Sequence, residues 1–300
     1  MILLYTWLMS AHAVEAQPMM VRWADVGDEP TCDERSIERE GRCVTMPGLV
    51  TIQAGTAWVG SSPREEGRRW DEARRSVAIP APFAIAVHEV TRAQYSAVMG
   101  AEPSEACGRG GRRREQHPVS CVSWNDAVAF SNRLSDLAGL ERVYRSQEGR
   151  LIWDRTANGF RLPSEVEWEY AARAGTMTRY AGSDHLDLVS WSTSNARAQT
   201  HPVGGLLAND WGLHDLSGNV GEWVWDAYAA RPRHDVRDQG HQRIIRGGSF
   251  DDPSEAHRLA ARRGEIATLV SPTVGFRVVR SLPASADEIV GQSGQQSWHP

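Results

Sequence analysis

Residues 212–223 read Gly-Leu-His-Asp-Leu-Ser-Gly-Asn-Val-Gly-Glu-Trp. Asp215 and Glu222 place a carboxylate at each end of this loop, with small and polar residues between them. If the loop curls around a cation, these two side chains and the carbonyls of Gly218 and Val220 offer the hard oxygen ligands that suit Ca²⁺. The alternative is a polar turn in which Asp and Asn bond their own backbone, and spacing alone favours that turn.

The whole chain has 300 residues, of which 41% are hydrophobic and 24% are charged. This composition is ordinary for a globular protein and excludes a disordered or membrane-embedded chain. The formal net charge of −5 gives no overall field that would attract nucleic acid or anionic lipid, so we expect no nucleic-acid partner. The length suits one large domain or two ordinary ones. Because no Pro/Ser-rich linker interrupts residues 47–282, we predict a single domain there.

The two ends of the chain differ from the region between them. Residues 2–8 are mostly apolar and precede the small-residue cleavage pattern Ala11-His12-Ala13. The apolar run is too short to span a bilayer, so we predict no membrane span and a secretory signal peptide over residues 1–16. A buried N-terminal strand or a wrongly chosen start codon is the alternative, because no Lys or Arg precedes the run. The polar residues 283–300 predict a flexible tail.

The four cysteines all lie before position 122. Cys32 and Cys43 bracket a polar segment within residues 17–46, and Cys107 and Cys121 bracket another that is rich in Gly and Arg. Neither pair has CxxC spacing, which makes a zinc site a poor interpretation. Local pairing would close two short loops in an oxidising compartment, so we expect a secreted or periplasmic protein. Four free thiols in a cytoplasmic protein are the alternative.

Three segments carry the signature of a capping box, in which a Ser or Thr and the residue three positions later satisfy each other's backbone N–H groups. Each segment runs to a glycine, which can end a helix in the left-handed conformation. The predicted helices begin at the caps Thr91, Ser123 and Ser164 and run to Gly100, Gly139 and Gly175. Short β-like runs at 49–52, 58–59, 83–87, 244–245 and 276–279 are the best strand candidates. Without regular strand–helix alternation, these elements predict an α+β domain with many loops.

A series of ordered motifs gives the chain a resemblance to a known family. The motifs are residues 55–61, 89–95, 118–127, 160–169 and 212–223, followed by Arg246-Gly247-Gly248-Ser249-Phe250 and by 275–277. With them the chain resembles the formylglycine-generating enzyme, or sulfatase-modifying factor, family over residues 47–282. The resemblance implies a C-type-lectin-like fold that is loop-rich, with a few short helices and small antiparallel sheets.

The resemblance favours calcium binding over a simple polar turn as the interpretation of the loop at 215–222. In the family, the corresponding loop binds Ca²⁺ through an Asn-type side chain, two carbonyls and a Glu. This implies a structural calcium site at Asp215, Gly218, Val220 and Glu222, with Asp in the place of Asn. A second family calcium site begins at the positions of Asn195 and the carbonyl of Ala196, but its downstream Asp-containing segment is missing here.

The same resemblance argues against the family's oxidase reaction. Those oxidases use two cysteines after the Gly-Gly-Ser to bind copper and oxidise a substrate cysteine, and thiolates are the soft ligands that hold Cu(I). Here the residues from Phe250 to Arg258 include no Cys, and Gly221 replaces the Trp that lines the family's oxygen pocket. We therefore expect no copper cofactor and no conversion of cysteine to formylglycine by that chemistry.

A binding function is the leading interpretation, as in related C-type-lectin-like proteins that display the segment between Arg-Gly-Gly-Ser and Gly-Phe-Arg as a ligand surface. We predict an exported, calcium-stabilised domain that binds a peptide, a protein or a small ligand. The residues predicted to line its groove, without an assigned catalytic role, are Ser249, Asp251, Asp252, Arg258 and Arg262.

The alternative function is a divergent oxidoreductase that acts on a secreted peptide or protein with a non-haem metal. Its ligands would come from Asp251, Asp252, Glu255 and His257, a mixture that is chemically suited to Fe(II) or Mn(II). The same residues are equally natural in an exposed loop, which is the simpler interpretation.

Overall fold

The computed structural model describes residues 36–39, 42–101, 103, 107, 114–228 and 242–282. The predicted signal peptide at 1–16 and the predicted tail at 283–300 lie outside these residues, as does most of the segment 17–46. The described residues include all three predicted helices and all five predicted strand runs.

Three helices begin at the capping boxes that the sequence predicts. The helices are α1 (Arg92–Met99), α2 (Trp124–Leu137), α3 (Glu165–Arg173) and the short α4 (Leu186–Val189). In each of the first three, the cap hydroxyl accepts the backbone N–H three residues on, and the side chain at that position accepts the cap N–H. Gly100 ends α1 in the left-handed conformation, whereas α3 ends one residue early because Ala174 already has φ = 47°. The three predicted helices are confirmed.

The strands form two four-stranded sheets and three two-stranded ribbons within the described residues. In chain order they are β1 (Ser36–Arg39), β2 (Arg42–Thr45), β3 (Leu49–Ile52), β4 (Gly55–Val59), β5 (Arg75–Ile79), β6 (Phe83–Ala86), β7 (Tyr144–Gln147), β8 (Arg150–Trp153), β9 (Phe160–Arg161), β10 (Gly221–Ala227), β11 (Gln242–Arg246), β12 (Arg263–Ile266), β13 (Val274–Gly275) and β14 (Val279–Ser281). The sheet orders are β12-β11-β10-β13 and β3-β6-β14-β9, and the ribbons are β1-β2, β4-β5 and β7-β8. Only the pairing of β10 with β13 is parallel among these strands. The predicted α+β class with small antiparallel sheets is confirmed.

The predicted strand at 276–279 is wrong in its first three residues. β13 ends at Gly275 and β14 begins at Val279, because the chain leaves one four-stranded sheet and enters the other across 276–278. Phe276 and Val278 stay buried in this crossing, and their carbonyls accept backbone hydrogen bonds from Val90, just before α1, and from Ala86, at the end of β6. Burial without strand pairing therefore produced the β-like pattern. The other predicted runs are confirmed as β3, β4, β6 and β11, although β6 ends one residue early.

Tryptophans orient the helices against the first sheet. Trp124 of α2, Trp168 of α3 and Trp223 of β10 are fully buried. Trp124 and Trp223 donate their indole N–H groups to backbone carbonyls at 2.8 and 3.0 Å. Trp168 donates to the carboxylate of Glu222 at 2.8 Å. Because a buried indole needs a partner for its N–H group, these bonds fix how α2 and α3 lie against β10.

Three arginines of the described residues are fully buried, and each contacts a buried carboxylate on a distant part of the chain. A charge removed from water is costly unless its partner and further hydrogen bonds compensate for the lost hydration. Each pair therefore fixes the relative position of two segments that meet near the loop at 215–222. The pairs are Arg277–Glu222, Arg246–Glu169 and Arg258–Glu72.

The first turn of α3 meets a carboxylate from β10. Asp226 Oδ2 accepts the backbone N–H of Glu165 at 2.6 Å. Loss of hydration, followed by the negative charge of Glu165, raises the pKa of Asp226 from 3.8 to about 6. The folded protein therefore binds this proton more tightly than the unfolded chain does. The resulting stabilisation is complete below the unfolded pKa and is lost as the pH rises through about 6.

Asp226→Asn is expected to gain stability relative to the unchanged protein as the pH rises from about 4 to about 7. The amide oxygen still accepts the Glu165 N–H, and the side chain no longer carries a charge. Urea unfolding across this pH range measures the difference in free energy of unfolding. Asp210→Asn is the matched control, since Asp210 is exposed and makes no side-chain hydrogen bond with a described residue. A difference for Asp226→Asn that is independent of pH would contradict the assignment.

Candidate functional site

The loop at 215–222 is held in an unusual backbone conformation by its neighbours. Asp215, Gly218 and Asn219 all have left-handed φ angles, of 57°, 94° and 61°. Asp and Asn tolerate this conformation better than most residues, and the backbone of Trp191 leaves no room for a Cβ on Gly218. The N–H of Gly218 also donates to the carbonyl of Gly247. The loop is therefore fixed between the segments around residues 191 and 247.

Glu222, at the end of the loop, is fully buried and engaged by Arg277. Its Oε1 accepts Nη2 of Arg277 and its Oε2 accepts Nε, both at 2.7 Å. Oε2 also accepts the indole N–H of Trp168 at 2.8 Å. Since each carboxylate oxygen can accept two hydrogen bonds, one acceptor position of Oε1 is left open by these contacts.

Asp215, at the start of the loop, is also buried. Its Oδ2 accepts the backbone N–H of Gly204 at 2.7 Å, whereas its Oδ1 makes no hydrogen bond with any described residue. Burial raises the pKa of Asp215 above its usual value. An unbonded oxygen on a desolvated carboxylate is a favourable contact for a cation.

A third carboxylate, that of Glu89, adds to the negative charge of this region. Glu89 is fully buried, and neither of its oxygens has a hydrogen-bond partner among the described residues. Burial, and then the charges of Asp215 and Glu222, raise the pKa of Glu89 well above its usual value. Glu89 opens the motif at 89–95, but nothing in that motif distinguishes a buried Glu from an exposed one, so sequence reasoning missed it.

The donor chemistry of this region fits a calcium ion. Ca²⁺ takes carboxylate and carbonyl oxygens, and the predicted ligands Asp215, Gly218, Val220 and Glu222 supply both kinds. Within the described ranges, no three His, Cys, Asp or Glu side chains are arranged to hold a metal ion together. A calcium ion here would therefore depend on the backbone carbonyls of the loop as well as on its two carboxylates.

The predicted second calcium site has its oxygens engaged by protein groups. Oδ1 of Asn195 accepts the backbone N–H of Ser192 at 2.9 Å. The carbonyl of Ala196 lies 2.9 Å from Nε2 of His201, whose ring stacks on Trp191 at 3.8 Å between centroids. Both predicted ligand oxygens thus already have a protein partner, and the second calcium site stays a prediction.

Ser249, Asp251 and Asp252, which are predicted to line the groove, lie in one turn after β11. Ser249 is fully buried, and its Oγ donates to Oδ2 of Asp252 at 2.6 Å. Asp251 is exposed, and Oδ1 of Asp252 lies 3.8 Å from Nη1 of Arg263. The turn thus presents carboxylates at the surface, while Ser249 braces it from inside.

His257 links the two ends of the same turn through its side chain. Its imidazole is fully buried, with Nδ1 2.9 Å from the carbonyl of Pro253 and Nε2 3.0 Å from the carbonyl of Ser249. Burial lowers the pKa of His257. Because both ring nitrogens face backbone oxygens, the ring is not placed to share a metal ion with Asp251 or Asp252.

Arg258 and Arg262 do not present their charges to the groove, contrary to the prediction. Arg258 is fully buried and donates to both oxygens of Glu72 at 2.7 Å and to Glu65 at 2.8 Å. Arg262 donates to both oxygens of Glu165. Burial alone would raise the pKa of Glu72 and of Glu165, but pairing with arginine holds both below their usual value. Long-range partners that the sequence does not reveal therefore take up both guanidinium groups.

One predicted disulfide is confirmed. Cys107 and Cys121 are bonded, with their Cα atoms 6.1 Å apart. Cys43 is also disulfide-bonded, but Cys32 lies outside the described residues, so the pairing of these two stays a prediction. No helix in the described part of the chain has the length and apolar character needed to cross a membrane.

Comparison with known proteins identifies a family and several relatives. The family model described as "Sulfatase-modifying factor enzyme 1-like domain" matches residues 34–282. The chaperone protein LppX of Paenibacillus barcinonensis is 32% identical over 234 residues, which cover 66% of this chain and 80% of that protein. The formylglycine-generating enzyme of Streptomyces coelicolor is 33% identical over 189 residues, which cover 55% of this chain and 52% of the enzyme. The chain thus spans about half the length of that enzyme.

A solved structure agrees with the family match. Treponema denticola variable protein 1 superposes with a TM-score of 0.71 at 28% identity, covering 80% of this chain and 97% of that protein. The predicted family resemblance and the predicted fold are confirmed.

Arg258→Met is expected to lower the free energy of unfolding by about 3–5 kcal/mol, because it leaves Glu72 buried without a counter-charge. Arg145→Met is the matched control. Arg145 forms an exposed ion pair with Asp154, so its replacement is expected to cost about 0–1 kcal/mol. Urea unfolding of the two variants measures both values. Equal effects of the two substitutions would show that Arg258 is not a scaffold residue.

Proposed function

Because the chain belongs to the family of sulfatase-modifying factor enzyme 1-like domains, we propose that it is an exported, calcium-stabilised member that binds a polypeptide and lacks the thiol oxidase chemistry. The observation that carries this proposal is the turn at 249–257. Where the family's oxidases have cysteines, this turn has carboxylates braced by Ser249 and His257. All four cysteines lie before position 122, and none in the described residues is a free thiol.

The surface of the turn favours a ligand with basic groups. Asp251 and Glu255 are exposed and Asp252 is partly exposed, so three carboxylates are available within five positions. The hydrogen bonds of Ser249 and His257 hold the turn in one conformation, which lowers the entropy lost when a ligand binds. A polypeptide is favoured over a small molecule because a relative with 32% identity is named a chaperone protein.

Calcium has a structural role in this proposal. The ion would be held by the side chains of Asp215 and Glu222 and by the carbonyls of Gly218 and Val220, and it would supply positive charge beside desolvated carboxylates. Glu89 supports this role, since its buried carboxylate has no hydrogen-bond partner in the described part of the protein. The loop also anchors the groove, because Phe250 N–H donates to the carbonyl of Asn219. Calcium would therefore stabilise the base of the ligand-binding turn.

Export is supported by the covalent structure. The disulfide between Cys107 and Cys121 is of the kind that persists in oxidising compartments, in agreement with the signal peptide predicted at residues 1–16. A secreted or periplasmic location follows as part of the proposal.

The alternative oxidoreductase gains no support from the geometry. Its candidate ligands were Asp251, Asp252, Glu255 and His257, but the ring nitrogens of His257 are directed at backbone carbonyls. The carboxylates that remain would have to bind a metal at an exposed turn, without the imidazole that made the set suitable for iron.

Metal analysis of protein purified without chelator, followed by thermal unfolding, tests the proposal. We expect calcium to be the metal present, and we expect chelation to lower the melting temperature, since a ligand that binds only the folded state stabilises it. In the calcium-free protein, Glu89→Gln is expected to raise the melting temperature at neutral pH, because it removes a carboxyl group whose raised pKa lowers stability at that pH. That gain is expected to shrink when calcium is restored. Glu141→Gln, at an exposed position, is the matched control.

Two results would overturn different parts of the proposal. A melting temperature that chelation leaves unchanged would contradict the calcium site but would leave the proposal of ligand binding intact. Stoichiometric iron or copper, together with oxygen consumption in the presence of a cysteine-containing peptide, would show that the protein is an oxidase and would contradict the binding function.

A further inference from the structure

The ribbon of β4 and β5, with the loop at 60–73 that joins its strands, presents two tryptophans to solvent. Trp58 is 52% exposed and Trp70 is 61% exposed. The other tryptophans among the described residues are buried or partly buried, and an exposed indole leaves a large apolar surface in water. The opposite side of this unit is directed inward, where Val59 and Ile79 are buried.

Four arginines lie in the same ribbon and loop as these tryptophans. Arg68, Arg69, Arg74 and Arg75 are all exposed. The guanidinium of Arg74 lies 5.1 Å from the ring centroid of Trp58, a cation–π contact. We call these four arginines and the two tryptophans the Trp–Arg surface.

The positive charge of the Trp–Arg surface is not balanced locally. Arg68, Arg74 and Arg75 form no ion pair with any described residue, and Nε of Arg69 lies 3.8 Å from a carboxylate oxygen of the buried Asp71. The other acidic residues of the loop are directed elsewhere. Glu65 and Glu72 bind Arg258, and Glu66 binds Arg179. A cluster of positive charge therefore lies on a chain whose formal net charge is −5.

The surface is backed by a rigid scaffold. Gly60 N–H donates to Oε1 of Glu169 at 2.7 Å, and Nη2 of Arg173 donates to the Gly60 carbonyl at 2.9 Å. Nη2 of Arg258 also donates to the carbonyl of Gly67. These bonds tie the loop to α3 and to the segment after the groove turn, so a partner would not have to order the loop on binding.

We propose that the Trp–Arg surface is a second binding site, specific for an acidic polypeptide. Exposed guanidinium groups recognise carboxylates through paired hydrogen bonds, and Trp and Arg are the residues that most often dominate protein interfaces. An anionic membrane suits this surface less well, because the net negative charge of the chain opposes approach to an extended negative plane. The turn at 249–257, whose Glu255 lies beside Gly67 of the same loop, exposes carboxylates and attracts the opposite charge.

Fluorescence anisotropy with fluorescein-labelled decaglutamate tests this site. We expect binding at about 20 mM NaCl that weakens markedly at about 150 mM NaCl, as contacts between exposed charges do. Arg74→Glu is expected to weaken binding at least roughly tenfold, and Trp58→Ala several-fold. The matched controls are Arg150→Glu and Leu207→Ala, which change an exposed charge and an exposed apolar side chain elsewhere and are expected to leave binding unchanged. Melting temperatures of all four variants confirm that the fold is retained.

Three outcomes would overturn the proposal. Equal loss of binding in the control variants would show that decaglutamate responds only to overall charge. Cosedimentation with phosphatidylcholine–phosphatidylglycerol vesicles that Arg74→Glu abolishes, without binding of decaglutamate, would identify a lipid surface instead. A dimer in analytical ultracentrifugation that Trp58→Ala dissociates, again without decaglutamate binding, would identify a second copy of this chain as the partner.

Discussion

The buried contact between Glu222 and Arg277 is the constraint on which the rest of the structure depends. Both side chains are fully buried, and the two hydrogen bonds between them are 2.7 Å long. The remaining donors of Arg277 reach the carbonyls of Ala86, Val87 and His214, and Trp168 donates to Glu222. This contact therefore joins β6, β10, α3 and the loop at 215–222. Because further hydrogen bonds engage both charged groups, the desolvation cost of the two charges is compensated.

The same principle explains how charged residues hold the family's scaffold together. The charged residues of the family motifs are mostly partners of one another. Arg246 binds Glu165 and Glu169, and Arg161 binds Glu167. These pairs fix the sheets and α3 whether or not cysteines follow Ser249. The turn at 249–257 is then free to carry carboxylates on a fixed base, which is the arrangement that a recognition surface requires.

Local features of the fold could be predicted from the sequence, because their physical causes are local. The helix starts at Thr91, Ser123 and Ser164 follow from side chains that bond backbone groups three residues away. The disulfide between Cys107 and Cys121 closes a short loop in the same way. The order of the motifs then gave the family and its fold, which no local rule would have supplied.

The unpredicted features depend on contacts between distant residues. Arg258 and Glu72 are 186 positions apart, and only the fold shows that they meet. The fold alone likewise shows that the carboxylate of Glu89 is buried without a hydrogen-bond partner among the described residues. It also shows that a histidine contacts the carbonyl of Ala196. The prediction of a strand at 276–279 was wrong because residues buried where the chain crosses between sheets show the same hydrophobic pattern as residues buried in a strand. For the same reason the sequence did not show that carboxylates distant along the chain pair with Arg258 and Arg262, whereas the groove role of Ser249, Asp251 and Asp252 stays a prediction.

A double-mutant cycle on Glu222 and Arg277, followed by urea unfolding, tests the central claim most directly. Glu222→Gln and Arg277→Met are each expected to cost about 3–5 kcal/mol, since each leaves one buried partner uncompensated. The double variant is expected to cost less than the sum, with an interaction energy of about 1–3 kcal/mol. Effects that add to within about 0.5 kcal/mol would show that the two side chains act independently, and would contradict the role given to their contact.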